Sequence, residues 1–184
     1  MTSIIVPRPI GWISTIGAQA TPNLAPFSFF NGVAASPPTV MISVGEREGK
    51  PKDTLRNARE TGEFVVNIVD EELASSMNQT SIELPYGVNE FDFAGLAAEP
   101  SVDVSPPRVA RALIAMEARV TQIVPVGGTR HTMILGRILR FHIRDGLLRA
   151  DGLVDARMLR PVARLGGDEY AMLAKFFSMP RPKL

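Results

Sequence analysis

The sequence predicts a mainly β fold of the α+β class, an antiparallel barrel with a few short helices packed outside it. Three observations favour this class. Apolar strand patterns follow one another and are joined mainly by short turns, only two or three short helical patterns interrupt them, and the β-α-β alternation of a doubly wound sheet is missing. A chain of 184 residues can enclose one core, so we expect a single domain over residues 1–184.

The first half of the chain supplies four of these strands. Runs rich in β-branched, apolar and aromatic residues lie between Gly and Pro turns at residues 10–16, 23–30, 39–44 and 63–69. The turn at residues 17–21 joins the first two runs as a hairpin. The fourth run is apolar on both faces, which indicates a central strand, and its Asn67 is interpreted as an amide hydrogen-bonded in the core.

A helix is predicted between the third and fourth strands. The polar stretch at residues 46–52 is expected to be an exposed loop. Asp53 or Thr54 can accept a hydrogen bond from the first free N–H groups of the helix, and Gly62 stands where a left-handed residue ends one.

The second half begins irregularly and then forms a hairpin. A short helix is expected at residues 70–80, and residues 81–111 contain so many Pro and Gly that only one helical turn, near residues 89–94, is expected there. Residues 113–124 alternate as a half-buried strand, with Ile114 on one face and Glu117 on the other, and pair with residues 132–143. Residues 155–164 show a short helical pattern.

Composition excludes several classes of function. The formal charge is +1 without a dense basic block, so we expect no nucleic-acid partner. No apolar run is long enough to span a bilayer, so we expect no membrane partner and a cytoplasmic protein. The chain has no Cys and only two His, without the spacing of metal ligands, and we expect no metal site. Neither GxGxxG nor GxxxxGK[ST] occurs.

A set of phosphate-compatible groups lies on the early strands and the predicted helix. Ser28 and Asn31 can donate hydrogen bonds, and Lys52, Thr54 and Arg56 lie at a helix start, where free N–H groups favour an anion. The alternative is an ordinary solvated surface helix. Spacing by itself does not choose between the two.

Five motifs together carry a resemblance to a known family. In order they are PRPIGWIST, NLAPFSFFN, PPTVMISVG, KDTLRNARETGEFVVNIV and RLGGDEY, and they resemble the flavin reductase-like family of FMN-binding split barrels, from about Val6 to Pro182. The resemblance implies a homodimer with FMN sites near the subunit interface, to which residues 81–111 contribute. It also implies an oxidoreductase that takes hydride from NAD(P)H and passes electrons to free flavin, an oxygenase partner or another acceptor. The alternative is a flavin-binding electron carrier without catalysis.

The resemblance also implies site residues. The backbone of Asn23, Leu24, Ala25 and Pro26, followed by Phe27, lies against the flavin ring, and Ser28, Lys52 and Thr54 bind the phosphate, with Asn31 as an additional ribityl or phosphate contact. His142 approaches the nicotinamide, or is simply a strand histidine bonded to its neighbours. Arg164 and Tyr170 approach the flavin pocket, or form a structural turn with a core Tyr. Trp12 covers the flavin or fills the core, and its large apolar area favours the core.

Overall fold

Antiparallel strand pairing dominates the structure, a computed structural model that describes residues 1–17 and 20–182. The strands are β1 (Arg8–Pro9), β2 (Gly11–Ile16), β3 (Pro22–Phe27), β4 (Phe30–Ala35), β5 (Pro38–Arg47), β6 (Lys50–Pro51), β7 (Glu63–Ile68), β8 (Ala98–Glu99), β9 (Arg108–Val109), β10 (Ile114–Val126), β11 (His131–Ile143), β12 (Val162–Arg164) and β13 (Tyr170–Met172). The helices are α1 (Asp53–Thr61), α2 (Ala74–Gln79), α3 (Glu90–Phe93) and α4 (Ala156–Leu159), with a 3₁₀ turn at Glu71–Leu73.

The main sheet curls into a split barrel. Its strand order is β3-β2-β7-β10-β11-β5-β4, with β6 paired to β5. Its two edge strands, β3 and β4, are joined by only Ser28 and Phe29, so the two edges of the sheet come together at that point. Smaller sheets form from β1, β12 and β13 and from β8 and β9. The predicted fold class is confirmed.

The barrel interior is filled by side chains from the central strands. Ile13, Ile42 and Ile134 are fully buried there, and Phe64 packs against Gly136 so closely that a Cβ on Gly136 would lie 2.3 Å from the Phe64 Cζ atom. A second apolar cluster lies between the sheet and the short helices. Trp12 is fully buried in it and donates from Nε1 to the Thr80 Oγ1 atom at 2.8 Å, which supports the core interpretation of this side chain.

Most predicted elements are present, but the short strands β8 and β9 lie in a segment expected to be loop, and three other differences follow. The run predicted at residues 23–30 breaks at Ser28, because the chain must turn from one edge of the sheet to the other, and β4 was not predicted. The loop predicted at residues 46–52 contains the ends of a tight β5–β6 hairpin. The helical pattern at residues 155–164 stops at Arg160, which has a left-handed backbone before Pro161, and β12 follows.

Strand β7 and the end of helix α1 agree with the sequence, whereas the helix start does not: its N-cap is Lys52, without a side-chain cap, rather than Asp53 or Thr54. The helix ends at Gly62, whose φ is 70°. The Gly62 N–H donates to the Ala58 carbonyl at 3.1 Å. Strand β7 lies between β2 and β10, as a central strand should. The Asn67 amide donates to the Trp12 carbonyl at 3.1 Å and accepts from the Val109 N–H at 2.9 Å, so it is hydrogen-bonded in the core.

The first part of the outer face of β10 is buried, contrary to the half-buried strand expected, whereas Arg119 and Thr121 farther along that face are exposed. Glu117 is fully buried because the segment at residues 101–107 covers it. Its carboxylate accepts the N–H groups of Val102 at 2.8 Å and Asp103 at 2.5 Å, and Asp103 pairs with Arg140 at 2.7 Å. The latter part of the irregular segment is therefore held against the sheet of its own chain.

Candidate functional site

A cavity of about 440 Å³ lies between the edge strand β3 and the start of α1; we call it the β3–α1 cavity. Strand β3 forms one wall, and the β5–β6 turn with the first turn of α1 forms the second. Residues 80–86 and Glu90 form the third. The predicted site residues that line this cavity are Asn23, Ala25, Pro26, Phe27, Lys52 and Thr54.

The N-terminus of α1 opens into this cavity without a side-chain cap. The N-cap residue, Lys52, has extended backbone, and its carbonyl accepts the first helical hydrogen bonds, from Leu55 at 3.0 Å and Arg56 at 3.1 Å. The N–H groups of Asp53 and Thr54 precede those bonds and have no acceptor within the helix. A free helix N-terminus attracts anions through these donors and the helix dipole.

Four cations surround the helix start. Lys52 is the N-cap of α1, Arg56 belongs to its first turn, and Arg47 and Lys50 come from the β5–β6 hairpin. The same cavity is also lined by four carboxyl residues, Glu48, Asp53, Glu83 and Glu90. Arg47 is paired with Glu83 at 2.8 Å, and the Arg56 guanidinium lies 4.1 Å from the centre of the Tyr86 ring. These contacts hold two of the cations at the mouth of the cavity.

Two carboxyl groups of the same cavity have perturbed acidity. Burial raises the pKa of Asp53 above its ordinary value, against the opposing charges of Arg56 and Arg47. Burial also raises the pKa of Glu90, and the nearby charge of Asp53 adds to the rise. Both shifts reduce the negative charge that an entering anion meets at moderately acid pH.

The inner wall of the cavity is a polar network that joins β2, β3 and α1. The Asn23 Nδ2 atom donates to the Thr15 and Thr54 Oγ1 atoms, both at 3.1 Å, and the Asn57 Nδ2 atom also donates to Thr15 at 3.1 Å. Asn23 and Thr54 are both at least 90% buried. The Thr54 hydroxyl accepts in this network, so its own hydrogen is still free to donate to a ligand.

The outer edge of β3 carries few free donors. Alternate residues of an edge strand direct their N–H groups away from the sheet. Leu24 is one of these, and its N–H donates to the Glu90 Oε2 atom at 3.0 Å. Pro22 and Pro26 lie two positions away on either side and have no N–H, which suits an edge strand. The Leu24 side chain itself points into the second apolar cluster and is fully buried.

A second cavity, of about 550 Å³, adjoins the first; we call it the β3–β13 cavity. The two cavities share Pro26 and Ser81. Ser28, Arg164 and Tyr170, which the sequence placed near the flavin, line the second cavity. The structure therefore divides the predicted ligand contacts between two adjoining spaces.

Side-chain contacts in the second cavity fix its cationic wall. The Arg164 guanidinium lies 4.5 Å from the centre of the Tyr170 ring and donates to the Gly167 carbonyl. The Tyr170 hydroxyl donates to the Asn78 Oδ1 atom at 3.2 Å. Arg164 is therefore held by the turn and the Tyr that follow it in the sequence.

Three predicted site residues line neither cavity: Leu24, whose side chain is buried in the second apolar cluster, Asn31 and His142. Asn31 is exposed on β4, and its Oδ1 atom accepts the N–H of Gly32 at 2.8 Å. His142 lies on β11, where its Nε2 atom is 2.5 Å from the Glu117 Oε1 atom. That contact matches the alternative interpretation of His142 as a strand histidine bonded to its neighbours.

Glu90, Tyr86, Ser81 and Arg47 line the β3–α1 cavity but were not singled out in the sequence. The first three belong to the irregular segment after α2, where no periodicity assigns a side chain to one face. Asn89, which caps α3 by accepting the Phe91 N–H at 3.0 Å, was a local signal for the helical turn that positions Glu90. Nothing local indicated that this turn would pack against β3.

Two further properties concern the described residues as a group. None of the helices in residues 1–17 and 20–182 has the length and apolar character needed to cross a bilayer. Within the same residues, no cluster of three or more His, Asp or Glu side chains is placed to hold a metal ion.

Comparison with known proteins identifies the family of this chain. The flavin reductase like domain matches residues 1–163. The chain belongs to the flavin reductase like family. The matched region includes β3 and the start of α1, and it ends directly before Arg164.

Relatives in this family resemble the chain over nearly its full length. An uncharacterized protein of Halalkalibacterium halodurans is 41% identical over 185 residues, which cover 98% of this chain and 88% of that protein. Nitrilotriacetate monooxygenase component B from Bacillus cereus has a TM-score of 0.93 at 38% identity, covering 97% of this chain and 90% of that one. The 2-nitrobenzoate 2-nitroreductase NbaA of Pseudomonas fluorescens has a TM-score of 0.88 at 30% identity, covering 98% and 88%.

Proposed function

We propose that this protein is an NAD(P)H-dependent oxidoreductase that binds FMN across the two adjoining cavities. The observation that carries the proposal is the uncapped start of α1, which opens with four cations into a space bounded by β3. Membership of the flavin reductase like family supports flavin as the ligand of that space.

The shape of the site supports one direction for the cofactor. The phosphate binds at the N–H groups of Asp53 and Thr54 with Lys52, because this end combines free donors with positive charge. The ring then extends along β3 towards Pro26, which both cavities share. The stretch of β3 from Asn23 to Phe27, along which the ligand lies, has four residue steps and is therefore roughly 13 Å long at about 3.3 Å per step.

The residues of the chain bind and orient the cofactor in this proposal. The redox chemistry would come from bound FMN, which can accept a hydride from NAD(P)H and pass the electrons on to an acceptor. Ala25 and Pro26 form a stiff wall with small side chains beside the ring. The adjoining cavity, into which a second substrate enters, is lined by Ser28, Arg164 and Tyr170. His142 is not part of this proposal, because its Nε2 atom contacts Glu117 and it lines neither cavity.

We also propose a cytoplasmic homodimer that delivers electrons to an oxygenase or to free flavin. Strand β4 supports the homodimer, because its residues 31–35 are exposed at the edge of the main sheet and include Val33, which is 54% exposed. Exposed apolar edge strands pair readily with another chain. Sedimentation of the FMN-loaded protein as a monomer would contradict the dimer. Similarity to a monooxygenase component B supports an oxygenase as acceptor.

The experiment that tests the function combines binding with turnover. We expect the purified protein to bind FMN, detected by the absorbance spectrum and by the mass of the released ligand, and to consume NADH or NADPH in its presence. Turnover no faster than free FMN alone would refute the reductase and leave a flavin-binding electron carrier. Failure to bind any flavin would refute both.

A further inference from the structure

Glu90 is a buried carboxyl group in the wall of the β3–α1 cavity. The residue is 7% exposed, and its Oε2 atom accepts the Leu24 N–H at 3.0 Å. Within residues 1–17 and 20–182, no nitrogen of Lys, Arg or His lies within 4.0 Å of its carboxylate. A buried carboxyl without a cation is costly unless its oxygens are hydrogen-bonded. The second oxygen is not a buried, unpaired atom, and it is open to a hydrogen-bond donor that enters the cavity.

The place of Glu90 along β3 determines which part of a ligand it meets. It is bonded to Leu24, which follows Asn23 in the strand, and Asn23 is bonded to Thr54 at the start of α1. Pro26, two residues beyond Leu24, is shared with the next cavity. A ligand with its phosphate at α1 and its ring near Pro26 presents its middle to Glu90. In FMN that middle is the ribityl chain, which carries hydroxyl groups.

The surrounding edge offers acceptors rather than donors. Pro22 and Pro26 have no N–H groups, and Glu90 already occupies that of Leu24. The outward groups that remain are backbone carbonyls and the second Glu90 oxygen, all of which accept hydrogen bonds. The several hydroxyl groups of the ribityl chain can donate to such a wall, whereas the flavin ring without this chain has only its N3–H to offer.

We propose that Glu90 accepts a hydrogen bond from the ribityl chain of the flavin and gives the site its preference for flavins that carry this chain. This inference rests on the proposed function. It assigns Glu90 to the middle of the ligand, separately from the phosphate contacts at α1.

Three ligands separate the parts of the site: FMN, riboflavin, which lacks the phosphate, and lumiflavin, which lacks the phosphate and the ribityl chain. We expect Glu90→Ala to weaken riboflavin binding roughly tenfold and to leave lumiflavin binding unchanged, since a hydrogen bond to a charged group is lost. Glu90→Gln keeps an oxygen for Leu24 and offers the ribityl chain an uncharged amide. We expect it to weaken riboflavin roughly threefold, because bonds to uncharged groups are about half as strong.

The titrations are followed by flavin fluorescence at about pH 8, above the ordinary range of a carboxyl group. The control is Asp92→Asn, which removes one negative charge from an exposed position of the same helix and should change neither affinity. Thermal unfolding of each variant shows whether it is folded. If Glu90→Ala does not fold, the Glu90→Gln titration decides the question.

Two results would overturn the inference while flavin binding stands. If riboflavin and lumiflavin weaken equally, Glu90 serves only to hold β3 in place. If neither weakens, Glu90 does not contact the ribityl chain. A wild-type protein that binds none of the three flavins would instead refute the proposed function itself, and the role of Glu90 with it.

Discussion

The charge of Lys52 offers the most direct test of where the phosphate binds. Lys52→Gln removes a positive charge at the start of α1 and keeps a side chain of similar length. Lys52 is exposed, and its side chain does not cap the helix. The substitution therefore changes the charge at the proposed phosphate site without removing a bond that holds the helix in place.

The structure sets the size of the expected effect. A hydrogen bond to a charged group contributes about 1.5–3 kcal/mol. Lys52 is exposed to water, and Arg47, Lys50 and Arg56 line the same cavity, so the lower end of this range applies. A loss of about 1.4 kcal/mol corresponds to tenfold weaker binding of FMN.

The assay compares FMN with riboflavin by fluorescence titration at low and high salt. We expect Lys52→Gln to weaken FMN binding roughly tenfold at low salt, less at high salt because exposed charges are screened, and to leave riboflavin binding unchanged. Arg59→Gln is the matched control, since it removes an exposed positive charge from the last turn of the same helix.

Two results would refute the assignment of the phosphate to α1. One is an unchanged FMN affinity in Lys52→Gln. The other is equal weakening of FMN and riboflavin, which would place Lys52 near the ring or the ribityl chain. Thr54 is less suitable for this test, because its hydroxyl also accepts from Asn23 in the buried network, and its removal would disturb the cavity wall.

Three further expectations concern the framework of the site and are measured by denaturant unfolding. Gly136→Ala should destabilise the protein by about 1–3 kcal/mol, because the added Cβ would lie 2.3 Å from the Phe64 Cζ atom; an unchanged stability would contradict the packing. Asn67→Leu should cost about 2–4 kcal/mol, because it leaves a buried carbonyl and a buried N–H unpaired. Burial opposes ionisation of Glu117, but its hydrogen bonds prevail and lower its pKa. Its contribution to stability should therefore be present above the ordinary glutamate pKa and be lost as the pH falls through the lowered pKa. The free energies of unfolding of wild type and Glu117→Gln should then converge in acid, and a difference that does not shrink in acid would contradict this.

Local patterns in the sequence predicted most of the framework. Helix α1 is present and ends at Gly62 as predicted, because a left-handed C-cap is a local feature, although its N-cap is Lys52 rather than Asp53 or Thr54. Strand β7 is central, as its apolar character on both faces indicated. The β10–β11 hairpin also agrees, since both strands carry the required alternation. These features depend on residues within a few positions of one another.

The burial of Glu117 shows where such patterns fail. Alternation along β10 placed this carboxyl on the polar face of a half-buried strand. In the structure the segment at residues 101–107 covers that face at Glu117 and supplies the N–H groups of Val102 and Asp103 to the carboxylate. The sequence pattern records the polarity of a face but not which distant segment packs against it.

For this protein, the sequence by itself determined the family, the barrel class, most of the long strands and the helix that ends at Gly62. Only the tertiary structure decided that Asn23 and Thr54 share one cavity, that Ser28, Arg164 and Tyr170 lie in the next, and that His142 contacts Glu117 instead. It also placed Glu90 against Leu24, 66 residues away in the chain. The physical reason is that periodicity and capping are local properties, whereas contacts between distant residues depend on strand register and on the path of irregular segments.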